Sequence, residues 1–367
     1  MLADRLAGAR RPSWRLICVL AAVAGVAALW ISQSRASPAS GAPPPSRATL
    51  AANRATAVPA AGAAQPVGAC AAPSGAAPDS HTVSLVVDGR RRFALVHVPH
   101  PLPAGRRLPL VLALHGYGGS GPRMEPYSGF SRQADEHGFV VAYPSSLGLA
   151  WNSTGAAGGP DDVAFMRALI AALEHSMCID PERVLGTGVS NGGGMVALAG
   201  CELSSQIEAI APVAGGYDGQ PPCRPTRPLS VLEIHGTADQ VVPYFGRTRR
   251  PTRDGVPPFV NAWVARDRCS PRAGVRALAP GATIYRWQGC AGGVRVEHIK
   301  IAAGHHQWPG ATPPDPGPPS AICAACTIWS FFSGLPAGTR AWPVSPSSPV
   351  RGSSPGSGGA PLRSSAS

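Results

Sequence analysis

Three polar side chains in this chain sit in settings that could turn a hydroxyl against a carbonyl carbon. Ser190 lies in G-V-S-N-G (188–192), Asp239 in H-G-T-A-D (235–239) and His306 in G-H-H-Q-W-P-G (304–310). A serine hydroxyl is a weak nucleophile until a base takes its proton. An imidazole titrates near neutrality, so it can take that proton and return it to a leaving alcohol. A carboxylate behind the imidazole fixes the tautomer and stabilises the imidazolium. In a chain with 44 glycines the pattern around Ser190 is weak by itself, and its bland reading is a glycine-rich turn whose serine caps a helix. The elements that would hold the three residues have to carry the case.

Those elements recur in one form, an apolar strand running into a polar turn. Val184 and Leu185 end a buried strand, Gly186 and Gly188 are expected to break it, and Gly192, Gly193 and Gly194 to open a small-residue helix over 195–203. A serine at such a strand–turn–helix corner is held in an unfavourable backbone conformation, and the helix start behind it offers unpaired N–H groups to a developing oxyanion. A second strand, 231–234, ends shortly before Asp239, where open α/β sheets place their ligand sites. A third, 294–301, runs into the loop carrying His305 and His306, and a fourth, Leu108–Leu114, ends in H-G-Y-G-G-S, where a second oxyanion N–H would be supplied. The chain order Ser190, Asp239, His306 is that of α/β-hydrolases and differs from the chymotrypsin and subtilisin orders.

The motifs H-G-Y-G-G (115–119), D-P-E-R-V (180–184), G-V-S-N-G-G (188–193), A-P-V-A-G-G (211–216), H-G-T-A-D (235–239) and H-Q-W-P-G (306–310) resemble the polyhydroxybutyrate depolymerase-like esterases. That secreted group includes feruloyl and acetylxylan esterases (carbohydrate esterase family one) and actinobacterial lipoprotein relatives. The resemblance covers about 83–335. It implies an α/β-hydrolase with Ser190 as nucleophile, Asp239 as orienting acid and His306 as general base. Tyr117 and Asn191 would lend backbone N–H groups to the oxyanion, and no metal or organic cofactor is required. The group usually has G-G-H-T-W-P-G where this chain has G-H-H-Q-W-P-G; fixing W-P-G places the base at His306.

Composition bounds the rest. Residues 16–31 form an apolar run behind Arg5, Arg10, Arg11 and Arg15. At about 1.5 Å per residue it spans roughly 24 Å, short of a bilayer core of about 30 Å, and it reads as an export signal. Residues 1–36 are therefore a signal peptide or an uncleaved signal-anchor. Residues 37–80 are expected to be a disordered Ala/Pro-rich linker, 81–336 an α/β-hydrolase catalytic domain and 337–367 a disordered tail. Of the net charge of +12, residues 81–336 hold only +4, from 22 Lys+Arg against 18 Asp+Glu. Arg90–Arg92 and 247–250 read as solvated loops, and neither a basic helix face nor stacking aromatics point to nucleic acid. A membrane enters only through an uncleaved N-terminal segment.

Nine cysteines, eight of them outside the leader, suit an oxidising compartment, extracellular or in the cell envelope. The preferred pairs are Cys201–Cys223 and Cys269–Cys290. Cys323 with Cys326 is expected as a structural disulfide, which leaves Cys70 for Cys178. Among other polar residues, Asp161 and Asp162 are expected to cap a following helix, and Asp180-Pro181-Glu182 is read as a turn ahead of the nucleophile strand. Asp218, the chief rival to Asp239, falls in a surface turn, and Glu233 lies inside a strand. His115, His235 and His298 read as structural. Trp308, beside His306, is expected to line the substrate pocket, Trp151 and Trp287 less so.

The fold expected is an α/β-hydrolase with a mostly parallel sheet of about eight strands and helices on both faces. The expected function is a secreted serine carboxylesterase acting on feruloyl or acetyl polysaccharide esters or on short hydroxyalkanoate esters. The alternatives are a serine peptidase of the same fold, for which the chain lacks room for a gating domain, and an inactive envelope-binding protein, which would normally have lost a triad member.

Overall fold

A computed structural model describes residues 80–100, 105–246, 255–317 and 319–336. The leader, Cys18, Cys70 and the arginines at 247–250 lie outside the described residues, as do the linker up to residue 79 and the tail beyond 336.

The core is one ten-stranded sheet, two strands more than expected. Its strands are β1 (His81–Val87), β2 (Arg90–His97), β3 (Leu108–Leu114), β4 (Val140–Pro144), β5 (Ile179–Val189), β6 (Ile207–Val213), β7 (Ser230–Gly236), β8 (Gly274–Ala279), β9 (Ala282–Trp287) and β10 (Val296–Ile301). The order across the sheet is β1-β2-β4-β3-β5-β6-β7-β10-β9-β8. From β4 to β10 every neighbour is parallel, while the outer pairs on both edges are antiparallel.

β3 and β4 are apolar and buried along their whole length because both faces are covered, whereas β5 enters the sheet through the more exposed Asp180 and Glu182. On β3, Leu108, Leu110, Leu112 and Leu114 join one core while Val111 and Ala113 join the other, as the two-residue side-chain period demands. The first core is closed by α3 (Asp162–Ser176), α4 (Asn191–Glu202) and α5 (Val256–Arg266), the second by α1 (Gly121–Ser128), α2 (Phe130–His137) and α6 (Ala324–Ser333). Fully burying an aliphatic side chain contributes about 1.5–3 kcal/mol, so these two layers outweigh any single polar contact in holding the sheet.

Several expectations need correcting. β5 is not broken at Gly186 and Gly188 but runs through both to Val189, and it takes in Asp180-Pro181-Glu182 as well. The following helix begins at Asn191, so the glycines form its first turn. Arg92 is not on a solvated loop. It is 2% exposed, pairs with the Asp162 carboxylate at 2.5 Å and lies 4.0 Å over the Phe165 ring. Arg90 and Arg91 on the same strand remain exposed. Asp161 alone caps α3, accepting from the Ala164 N–H at 2.7 Å, while Asp162 also accepts from the Asn152 N–H.

Disulfides join Cys201 to Cys223, Cys269 to Cys290 and Cys323 to Cys326. Cys178 is also disulfide-bonded. No helix among the described residues is long and apolar enough to cross a membrane.

Candidate active site

The carboxyl ends of β3, β5 and β7 and the loop after β10 converge on one cavity of about 680 Å³, lined by Ser190 and His306 together with Tyr117, Met124, Tyr127 and Val241, among others. Ser190 is the corner between β5 and α4, with φ 57° and ψ −120°. A non-glycine residue there is strained, and strain of this kind persists only where surrounding structure over-determines it. Close packing does so here. A Cβ on Gly188 would meet the Gly192 carbonyl oxygen at 2.6 Å and Leu114 Cβ at 2.9 Å, and one on Gly192 would strike the carbonyl oxygens of Leu114 and His115. Helix α4 can approach the strand ends only because both positions lack side chains. The Ser190 N–H is tied to the Val213 carbonyl at 2.9 Å, which leaves the hydroxyl to the cavity side of a rigid corner.

Asn191 is the first residue of α4, and an N–H at that position has no partner within its helix. Its side chain works elsewhere: Oδ1 accepts from the Trp151 N–H at 2.7 Å and Nδ2 donates to the Trp151 carbonyl at 3.1 Å. Trp151 Nε1 donates in turn to the His115 carbonyl at 2.9 Å. His115 Nδ1–H donates to the Gly116 carbonyl at 2.7 Å and Nε2 accepts from the Ser146 N–H at 3.1 Å. That pattern needs a neutral ring, and burial, which outweighs the Gly116 hydrogen bond, lowers its pKa accordingly. The β3 loop is thereby fixed against α4, with Gly116 so close to Ser190 that a Cβ there would lie 3.4 Å from the serine Cβ. Tyr117, the next residue, is exposed at the cavity mouth.

Asp239 is 5% exposed. Its Oδ2 accepts from His306 Nδ1 at 2.7 Å, and its Oδ1 accepts from the N–H groups of Val241 and Val242 at 2.9 and 2.7 Å. Burial pushes the carboxyl pKa up, but hydrogen bonds from His235, His306 and Val242 overcome it and hold the group well below the usual carboxylate range. His306 is partly exposed, with Nε2 free of protein partners among the described residues, whereas the neighbouring His305 is exposed. Asp218 falls in an exposed turn after β6. The structure thus brings Ser190 and His306 into one cavity at the carboxyl ends of the strands and ties His306 to Asp239, while Asp218 and His305 are exposed. A hydroxyl, an imidazole and an ionised carboxylate so arranged can move one proton off an attacking serine and deliver it to a leaving group.

Trp308 does not line the cavity. It is 1% exposed, packs edge-on against Phe130 with ring centroids 6.0 Å apart and donates from Nε1 to the Ser128 carbonyl. The W-P-G turn after His306 points the indole into the second core, where its area is worth more than at a rim. The apolar part of the wall is formed instead by Tyr117, Pro122, Met124, Pro126, Tyr127, Val189, Val241 and Pro313, and its polar part by Arg123, Gln307, Thr312 and Asp315. Tyr127 donates to Asp315 at 2.6 Å. Sequence reading also missed the clamp by the Asn191 side chain and the buried partners of His235 described below.

Residues 93–220 match the family described as Esterase PHB depolymerase. NocK of Nocardia uniformis subsp. tsuyamanensis, a protein named as an esterase, is 35% identical over 258 residues, covering 63% of this chain and 74% of that one. Feruloyl esterase B of Piromyces equi is 31% identical over 230 residues, 59% of this chain but only 42% of that protein's length. Among solved structures, an acetyl xylan esterase from Aspergillus awamori overlays with a TM-score of 0.50 at 14% identity, covering 69% of this chain and 99% of that one, a likeness of fold. The chain belongs to the polyhydroxybutyrate depolymerase-like esterases, carboxylic ester hydrolases built on the α/β-hydrolase fold.

Proposed function

We propose that Ser190, His306 and Asp239 are the nucleophile, general base and orienting acid of an esterase that works through an acyl-enzyme. The observation that carries this reading is the His306–Asp239 hydrogen bond at 2.7 Å, made by a histidine that shares its cavity with a serine held at φ 57°. Ser190 Oγ attacks the ester carbonyl as its proton passes to His306 Nε2. The N–H groups of Asn191 and Tyr117 receive the oxyanion, each such donor contributing about 3 kcal/mol. Collapse expels the alcohol, which takes the proton from His306. Water then repeats the sequence to free the acid.

The acyl side is best matched by an aromatic acid such as ferulate. A cavity of about 680 Å³ whose wall includes two tyrosines, three prolines, Met124 and two valines beside the polar Arg123, Gln307, Thr312 and Asp315 gives an acetyl group little to contact and a planar ring with polar substituents a great deal. The relative named feruloyl esterase B supports this acyl group, while acetyl esters, as in the relative named acetylxylan esterase/xylanase, and short hydroxyalkanoate esters are the competing substrates. The leader-like segment at residues 1–36 and the disulfides support export to the outside of the cell or its envelope. Release of ferulate from feruloylated arabinoxylan, set against cleavage of hydroxybutyrate oligomers by the same preparation, tests the substrate. Ferulate release exceeding oligomer cleavage supports the reading, and the reverse ranking overturns it.

A further inference from the structure

Behind the catalytic carboxylate lies a second one that the ester chemistry above does not use. Glu233, on β7, is completely buried, and so nearly is His235 two residues along the same strand face. His235 Nδ1 lies 2.9 Å from Glu233 Oε1. Its Nε2 lies 2.9 Å from the Val242 carbonyl oxygen and 3.2 Å from Asp239 Oδ2, the same oxygen that binds His306. Both ring nitrogens therefore face only acceptors, a carboxylate on one side and a carbonyl with a carboxylate on the other. A neutral imidazole can donate from one nitrogen only, so this arrangement is satisfied by the doubly protonated ring.

Every element around His235 agrees. From β10, His298 Nδ1 lies 2.7 Å from Glu233 Oε2 while its Nε2 accepts from the Tyr244 hydroxyl at 2.8 Å. From the loop after β6, the Tyr217 hydroxyl donates to Glu233 Oε1 at 3.1 Å. Tyr285 on β9 stacks on His298, and Lys300 lies over Tyr285, 5.5 Å from its centroid. Among the described residues no acid other than Glu233 and Asp239 joins these groups, and His306 meets the cluster through Asp239.

We infer that His235 is a positioning residue, an imidazolium clamped between Glu233 and Asp239 that orients the Asp239 carboxylate and tempers its charge as felt by His306. The chain of contacts is then His306–Asp239–His235–Glu233–His298–Tyr244, two histidine–carboxylate pairs joined through a shared oxygen. Burial alone would strip the proton from His235, but the Glu233 charge and the hydrogen bonds that the ring donates to Asp239, Glu233 and the Val242 carbonyl outweigh it and raise the ring to about 10. Glu233 is held ionised against burial by the same His235 and by His298. The inference rests on the assignment of Asp239 and His306 to the catalytic triad.

Two measurements on the full chain test it. In wild-type protein labelled with 15N-histidine, the His235 ring should carry protons on both nitrogens through about pH 9; a singly protonated ring at pH 8 would overturn the inference without need of any variant. In His235→Gln, kcat should fall roughly tenfold with KM unchanged. The acidic limb of the kcat/KM profile should move up by about one pH unit, because removing a positive charge strengthens the Asp239 field at His306. A limb that stays in place while kcat falls only in proportion to folded protein means a structural role and defeats the proposal. Fluorophosphonate labelling separates this failure from that of the triad. A Ser190 adduct in both proteins with an unmoved limb sinks the role of His235 alone, whereas an adduct absent from wild type sinks the assignment beneath it.

Discussion

The two strand ends that build the site do so by opposite means. At the end of β5 the serine corner is made by the backbone: Ser190 is held at φ 57°, and Gly188 and Gly192 admit the helix behind it. At the end of β7 the acid loop is made by side-chain charge. Asp239 takes four donors, from His306, His235, Val241 and Val242, and Glu233 anchors one of those donors from beneath. A backbone corner tolerates almost no change of shape, while a charge cluster tolerates shape but no change of proton count. Variants at the two ends should fail in different ways.

The largest effect is expected from Ser190→Ala, with kcat on p-nitrophenyl acetate falling by about 10⁴-fold or more while the thermal midpoint barely moves. Asp239→Asn should cost about 10⁴-fold in kcat by presenting the wrong tautomer to substrate, with KM little changed. Gly192→Ala, which touches no titratable group, should lower stability by about 3 kcal/mol or more through collision with the Leu114 and His115 carbonyls, and urea unfolding would show it. If Gly192→Ala folds normally yet is inactive, the corner is not held by packing.

Stability against pH sharpens the contrast. His235 has its pKa raised from 6.5 to about 10, so its contribution is complete below pH 6.5 and is lost as pH rises toward 10. Asp239 has a depressed pKa, so its contribution is complete above the ordinary carboxylate range and is lost on acidification. Unfolding midpoints should therefore decline from about pH 7 to pH 10 in wild type and decline less in His235→Gln. The smallest effect is expected far from the site. Asp267, at the end of α5, accepts from the Leu229 N–H, has a second buried oxygen with no hydrogen bond, and is pushed by burial to about 6. Its ionisation destabilises the fold as pH rises from 3.8 to 6. Asp267→Asn should thus gain about 1 kcal/mol at pH 8 and nothing at pH 4.

How much of this was legible in the sequence follows from the same contrast. Glycine spacing betrays a backbone corner, so the turn at Ser190 could be read directly. Apolar runs betray buried parallel strands, so β3 was placed with both ends correct. The glycines within β5 misled because glycine permits a close approach as readily as a break, and only the position of Val196, against which a Cβ on Gly186 would press at 2.5 Å, decides between them. Of the edge strands, β8 is exposed over most of its length and carries no alternation, whereas β1 does alternate, with Val83, Leu85 and Val87 more buried than Ser84 and Val86. Trp308 misled because adjacency in sequence to His306 says nothing of side-chain direction. The Glu233 cluster had a readable half: E-I-H places Glu233 and His235 two apart on one strand, hence on one face. Its other half, His298, depends on the pairing of β10 beside β7, where His298 stands in register with Glu233, and no local pattern reveals that.

Intact-mass and peptide mapping of the protein after reaction with a fluorophosphonate probe tests the central claim most directly. One adduct is expected, on Ser190, formed rapidly in wild type and abolished or greatly slowed in His306→Ala. An adduct on another serine, or undiminished hydrolysis of p-nitrophenyl acetate by Ser190→Ala, would contradict it.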